Sequence, residues 1–171
     1  MKKKPLISII MNCYNGEHFL RYSLKSIIDQ TFKNWELIFW DNLSTDNSKK
    51  IFLSFKDKRF KYFCAKKFTN LYTARNLAIK KSQGKIITFI DVDDLWLNQK
   101  LKKQVVFFAN NKLAEIVYSN YYVQKKVFGV NFLKKKFQGI LPQGKITKEL
   151  LINYRIGWLT VALKNKILKN R

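Results

Sequence analysis

Four short runs dominated by apolar residues recur at near-regular intervals in the first half of the chain: LISIIM (6–11), WELIFW (35–40), FKYFCA (60–65) and KIITFI (85–90). Each is strand-length, and the β-branched residues of LISIIM suit a strand covered on both faces. The segments between them carry a helical period. In EHFLRYSLKSIIDQTF, the residues Leu20, Leu24, Ile27 and Ile28 fall on one face. Ser44 or Thr45 is placed to cap the helix after the second run, with Asp46 in its first turn. LYTARNLAIKKSQG reads as a helix closed by Gly84. Leu97, Leu101, Val105 and Phe108 space a further helix. Strands alternating with helices predict an α/β fold, a mostly parallel sheet with right-handed crossovers. Beyond it, EIVYSNYYVQ reads as a strand, QKKVFGVNFLKKKFQGILPQGK (124–145) has the character of a hairpin, ITKELLINY reads as a helix and IGWLTVALKN as a strand. No repeat and no Pro/Gly/Ser linker interrupts the chain, so residues 1–171 are expected to form one domain.

In such sheets ligands sit beyond the carboxyl ends of the strands. Three polar clusters fall there: NCYN after the first run, Asp41–Asn42 after the second and Asp91–Asp94 after the fourth. The last is the most demanding. Three aspartates occupy four positions at the end of an apolar strand, in a chain with 34 Lys and Arg against 11 acidic residues. Their repulsion is relieved by a divalent cation, which favours hard oxygen ligands and can bridge to a diphosphate. The alternative is a helix cap, with Asp93 or Asp94 opening a helix near Leu95. That accounts for one aspartate and leaves two.

At these residues the chain resembles the family 2 glycosyltransferases. The carriers are the apolar strand with its Tyr14-Asn15 turn, Ser26-Ile27…Gln30-Thr31, and Glu36-Leu37-Ile38…Asp41-Asn42…Ser44-Thr45-Asp46. The second block is ARNLAIKKSQGKIITFIDVDDLWLNQKLKKQ. The resemblance covers residues 6–125 and extends toward 168. It implies a Rossmann-like, A-type glycosyltransferase fold, with a nucleotide-sugar-binding half over about 6–125 and a partial acceptor-side half over about 126–171. It implies inverting transfer of a sugar, in cell-surface polysaccharide synthesis, from a nucleotide-diphosphate sugar to a saccharide or lipid-linked acceptor. Mn²⁺ or Mg²⁺ is the implied metal and uridine the expected base. By position, Tyr14 lies beside the base, Asp41 bonds it, Arg75 lies near base or diphosphate, Asp91 contacts ribose or metal, and Asp93 ligates the metal.

The chain departs from the family pattern in places. Asn12 and Cys13 stand where proline and a small residue are usual, and Leu43 where glycine is common. The family's general base is an acid beyond a strand like IGWLTVALKN, and no such residue precedes Arg171. Only Glu115 and Glu149 follow Asp94, so the catalytic base is left unassigned. A truncated enzyme, an inactive or partner-completed donor-binding domain, or an enzyme with an unusual base is the alternative expectation. His18 is expected on a solvent face and Cys13 in packing. Of the four tryptophans, Trp96 is the one expected to offer a sugar platform, because it follows the acidic cluster.

Net charge is +23, and 16 of the basic residues but only 2 acidic ones follow Asp94. Such a field attracts anionic surfaces. A cytoplasmic protein, peripheral at the inner face of the membrane, is expected. No apolar run reaches the roughly 18 residues of a membrane span. Nucleic acid is not expected as a partner: no motif for it appears, and the acidic cluster repels phosphate. Two cysteines make no disulfide framework.

Overall fold

β1 (Ile7–Cys13), β2 (Trp35–Asp41) and β4 (Ile86–Phe89) are buried along their whole length, which is why their sequences show no polar alternation. In this computed structural model, residues 4–127, 130–152 and 154–169 are described. The main sheet runs β3-β2-β1-β4-β8-β5, with β3 at Phe60–Cys64, β8 at Ala162–Lys164 and β5 at Ile116–Val117. β1 pairs parallel with β2 and β4, and β2 with β3. The expected mostly parallel α/β sheet is therefore present. β8 is antiparallel to both β4 and β5.

The helices α1 (Glu17–Ile28), α2 (Ser48–Ser54), α3 (Leu71–Lys80) and α4 (Lys100–Asn110) connect the strands. Two cores form, one on each face of the sheet. Ile9, Met11, Leu37 and Phe39 join Leu20, Leu24, Ile27, Phe52 and Leu101 on one side. Ile10, Ile38, Trp40, Ile87 and Phe89 join Ala74 and Ala78 of α3 on the other. Strand residues thus alternate between the two cores, with period two, although both faces are apolar.

Four details differ from the sequence expectations, each for a local reason. The N-cap position of α2 is Asn47, not Ser44 or Thr45. Those two residues instead bond the β1–α1 turn. The stretch 115–124 divides: after β5, the Asn120 side chain bonds both backbone groups of Phe137. This turns the chain into a separate ribbon of β6 (Tyr122–Val127) and β7 (Val130–Lys135), the hairpin expected from the sequence. α5 (Thr147–Ile152) follows, then a 3-10 turn at Trp158–Thr160, β8 and α6 (Lys166–Lys169). Third, α4 begins at Lys100, so Leu97 lies outside it and is exposed.

The fourth difference is Gly84. α3 ends at Lys80, with Lys81 as C-cap, so the glycine does not close the helix. It passes against β1 instead. A Cβ there would stand 2.5 Å from the Ser8 backbone nitrogen. Its amide donates to Ser8 Oγ at 2.8 Å, and its carbonyl accepts from Asn165 Nδ2 at 2.8 Å. Ser8 in turn donates to buried Glu36, which also takes Lys61 Nζ and the Gln83 amide. Gly84→Ala should destabilise the chain by about 1–3 kcal/mol, since the obstacle is backbone. Urea unfolding checks this, and an unchanged midpoint would contradict the packing described.

Candidate functional site

Two turns at the carboxyl edge of the sheet are tied to each other. Asn15 (φ 52°) donates its amide to Ser44 Oγ and accepts from the Thr45 amide. Gly16 N donates to Ser48 Oγ at 2.9 Å, and Glu17 N to Asp46 Oδ2 at 2.9 Å. Glu17 returns the contact by accepting from Asn47. Leu43 sits at φ 68°, in the left-handed region. That is the physical reason a glycine suits this position.

Asp41 ends β2 and is 2 % exposed. Its Oδ1 accepts from the Ser44 amide at 2.7 Å and its Oδ2 from Tyr62 Oη at 2.6 Å. Burial and this carboxylate together raise the Tyr62 pKa, so the phenol stays a donor. Asn42 is also buried, and exchanges hydrogen bonds with Thr69. Tyr14, by contrast, is 53 % exposed, and packs edge-on to Phe68 with ring centroids 4.8 Å apart.

Beyond β4 the chain makes a turn closed by Asp94 N to Asp91 O at 3.1 Å. The helix starts only at Lys100, so neither Asp93 nor Asp94 caps it, and the capping alternative fails. The segment 91–101 is held by side chains instead. Ser23 Oγ donates to Asp91 O, and the Trp96 amide donates to Ser26 Oγ. Gln30, fully buried, donates to Leu97 O and accepts from the Leu101 amide. Thr31 N donates to Asn98 O at 2.9 Å. The Ser-Ile…Gln-Thr signature of α1 is thus the support of the acidic turn. This role is not visible from spacing alone.

Arg75, on α3 and 7 % exposed, donates from Nη2 to Asp91 Oδ1 at 3.1 Å. Its guanidinium carbon lies 5.0 Å from the Trp158 ring centre and 5.7 Å from that of Phe89. Asp93 is exposed and makes no side-chain hydrogen bond or ion pair among the described residues. Burial, and then the charges of Asp91 and Asp93, push the Asp94 carboxyl up to about 6. The turn therefore carries negative charge that Arg75 offsets only in part. Its donors are all carboxylate oxygens, the set a hard cation takes. Among the described residues no three ligating side chains converge on one point. The donor set fits a divalent ion held by one or two carboxylates and completed by substrate phosphates, the usual pattern for Mg²⁺.

Trp96 is not the exposed platform expected from its place after the cluster. It is 6 % exposed in the core, because its Nε1 reaches Leu159 O at 3.0 Å. Trp35 and Trp40 are buried too, while Trp158 is 44 % exposed. His18 is exposed and Cys13 buried, as expected. Glu115 pairs with Lys166 on the surface, and Glu149 lies in the first turn of α5.

Next to Trp96 lies a lysine that sequence reasoning passed over. Lys100 Nζ sits 3.7 Å from the Trp96 ring centre and donates to Thr88 Oγ1 and Gln104 Oε1. No carboxylate lies within ion-pair distance of it among the described residues. Burial holds its pKa well below the ordinary 10.5. Between the folded and unfolded values the unfolded chain binds more protons, so stability rises with pH in that window. Below the folded value the cost is present in full. The stability of the wild type relative to Lys100→Met should therefore increase with pH through the window that ends at the ordinary lysine value of about 10. Paired urea titrations measure this, and a pH-independent difference would contradict the burial of this ionisable group.

Comparison with known proteins agrees with this architecture. The sequence profile of Glycosyl transferase family 2 matches residues 8–169. The Escherichia coli protein UDP-Glc:alpha-D-GlcNAc-diphosphoundecaprenol beta-1,3-glucosyltransferase WfgD is 37 % identical over 163 residues, covering 95 % of this chain and 62 % of its own length. The Bacillus subtilis putative teichuronic acid biosynthesis glycosyltransferase TuaG is 33 % identical, over 65 % of this chain and 45 % of its own length. Staphylococcus aureus TarS 1-349, solved in complex with UDP, superposes with a TM-score of 0.78 at 22 % identity, over 98 % of this chain and 48 % of that one. A Pyrobaculum calidifontis mannosyltransferase, solved with GDP-Man and Mn²⁺, gives 0.69 at 17 % identity, over 99 % and 47 %. The chain spans between about half and three fifths of the length of these proteins. On the match to its profile and the shared fold, the chain belongs to glycosyltransferase family 2.

Proposed function

We propose that this glycosyltransferase chain forms the donor-binding part of an enzyme that moves a sugar, with inversion, from a nucleotide-diphosphate sugar to a saccharide or lipid-linked acceptor in surface polysaccharide synthesis. The single observation that carries the reading is the supported acidic turn Asp91–Asp94. It lies at the same sheet edge as Arg75 and the exposed Tyr14–Phe68 pair. On this reading residues 6–125 bind the nucleotide sugar and residues from 126 begin the acceptor side. WfgD, by its name, uses UDP-glucose and a diphosphoundecaprenol-linked acceptor, which supports a uridine donor and a lipid-linked acceptor here.

Each residue then has a task. Tyr14 and Phe68 offer an aromatic surface to the base. Asp41 holds the turn beneath it through Ser44 and Tyr62, and its remaining lone pairs can accept from the base. Arg75 pairs with Asp91 and presents a fixed positive charge to the diphosphate. Asp93 and Asp91 would hold Mn²⁺ or Mg²⁺, which when bound neutralises charge on the leaving diphosphate. No observation favours the inactive alternative, and the general base is unassigned.

The second half supports a further part of the reading. β7 carries Lys134 and Lys135 beside exposed Phe132 and Leu133, and α5 carries Lys148 beside exposed Leu151 and Ile152. Among the described residues no helix is long and apolar enough to cross a membrane. Peripheral contact with an anionic surface at the cytoplasmic face places the chain beside lipid-linked acceptors.

Thermal unfolding with Mn²⁺ and a panel of nucleoside diphosphates tests the donor site. Ligand at about 100 times its Kd should add roughly 2.7 kcal/mol. That corresponds to a rise on the order of 2–4 °C per kcal/mol for a domain of this size. The shift should need metal, prefer one nucleotide and vanish in Asp93→Ala. A cooperative melt that no nucleotide moves would refute the reading. Liposome flotation tests the surface contact: binding to anionic vesicles should weaken steeply between low and roughly 0.5 M salt. Salt-independent binding, or none, would remove it.

A further inference from the structure

β8 runs antiparallel to β4, with Thr88 opposite Ala162 and Ile86 opposite Lys164. The start of β8 therefore lies at the edge where β4 ends. The residues just before it, 158–161, are carried alongside the acidic turn. Three consecutive carbonyls of this strap are fixed by side chains from elsewhere. Leu159 O accepts from Trp96 Nε1 at 3.0 Å, Thr160 O from Gln104 Nε2 at 2.8 Å and Val161 O from Thr88 Oγ1 at 2.6 Å. Lys100 joins all three donor side chains, bonding Thr88 and Gln104 and resting on the Trp96 ring. Gly157 O accepts from both the amide and the hydroxyl of Thr160.

What this strap presents is an indole. Trp158 stands edge-on to Phe89 at 5.2 Å and 5.0 Å from the Arg75 guanidinium, which itself holds Asp91. Yet 44 % of it remains exposed. A large aromatic kept half in water on a firmly held backbone, beside an ion pair whose arginine is buried and whose aspartate is open to solvent, is a surface built for a ligand rather than for the core.

The strand order says which part of a ligand it meets. Along the carboxyl edge lie first Phe68 after β3, Asp41 after β2 and Tyr14 after β1, then Asp91–Asp94 after β4, then Trp158 before β8. The donor reading above, on which this inference rests, puts the base at the aromatic pair and the diphosphate at the acidic turn. The next group along the donor is its sugar. We propose that Trp158 is the platform for the pyranose ring of the donor, packing the C–H face of the sugar on the negative face of the indole. The site would thus distinguish a nucleotide sugar from the bare nucleoside diphosphate through this one side chain.

Titration calorimetry on the whole chain with Mn²⁺ tests it, comparing UDP with UDP-glucose and UDP-GlcNAc, and GDP with GDP-mannose. The variants are Trp158→Ala, Trp158→Leu, which keeps bulk without a π face, and Trp158→Tyr, which keeps an aromatic face. Melting curves verify that each is folded. For the preferred base, Ala and Leu should weaken the nucleotide sugar roughly tenfold and leave the nucleoside diphosphate within about twofold. Tyr should keep most of the affinity. Equal losses for both ligands would overturn the proposal, as would no loss. If the wild type binds no nucleotide at all, the donor reading itself fails and this proposal falls with it. If nucleotides bind and only the sugar comparison is flat, the donor reading stands and Trp158 is excluded.

Discussion

Like charges gathered at the end of a buried strand need a backbone that cannot relax away from them. That constraint organises this molecule. Asp91, Asp93 and Asp94 follow β4 directly, where β4 is flanked by β1 on one side and β8 on the other. The five residues after them, 95–99, form no helix, so their backbone groups are bonded from outside. Ser23, Ser26, Gln30 and Thr31 of α1 and its end supply the partners on one flank. On the other flank, Trp96 and Gln104 hold the strap before β8. Polar residues buried in an apolar fold are costly unless satisfied, and here their satisfaction sets the position of the acidic turn.

The same economy explains the motif residues of the family. Gln30 is fully buried and contacts no solvent. In the fold it bridges α1 to Leu97 and Leu101. Gln104, in the KLKKQ segment, reaches Thr160 in the last strand region. Arg75 is likewise a buried junction, touching Asp91, Phe89 and Trp158 from one guanidinium. These side chains act on the site by placing others.

Much of this was legible in the sequence, and for identifiable reasons. The four parallel strands announce themselves through apolar runs, and α1 through its 3.6-residue period. Chain order then fixes that NCYN, Asp41 and Asp91–Asp94 share an edge. What was not legible depends on contacts distant in sequence. Nothing in three residues marks β8 as antiparallel. Gly84 reads as a helix stop, whereas the closeness of Ser8 is what excludes a side chain. Adjacency to the aspartates favoured Trp96 as a platform, but its N–H found a partner 63 residues away, and the exposed indole is Trp158. Leu43 shows the opposite case: the backbone keeps the left-handed turn although the residue that favours it is missing.

The central claim is that the acidic turn is the metal and diphosphate point of a donor site. Paramagnetic broadening in amide NMR spectra tests it most directly, with substoichiometric Mn²⁺ added in the presence of a nucleoside diphosphate. The account predicts that broadening centres on residues 91–94 and reaches Arg75, while α5 and the β6–β7 ribbon stay sharp. It also predicts that the pattern is lost in Asp93→Ala. Broadening centred elsewhere on the chain, or unchanged by that substitution, would contradict it.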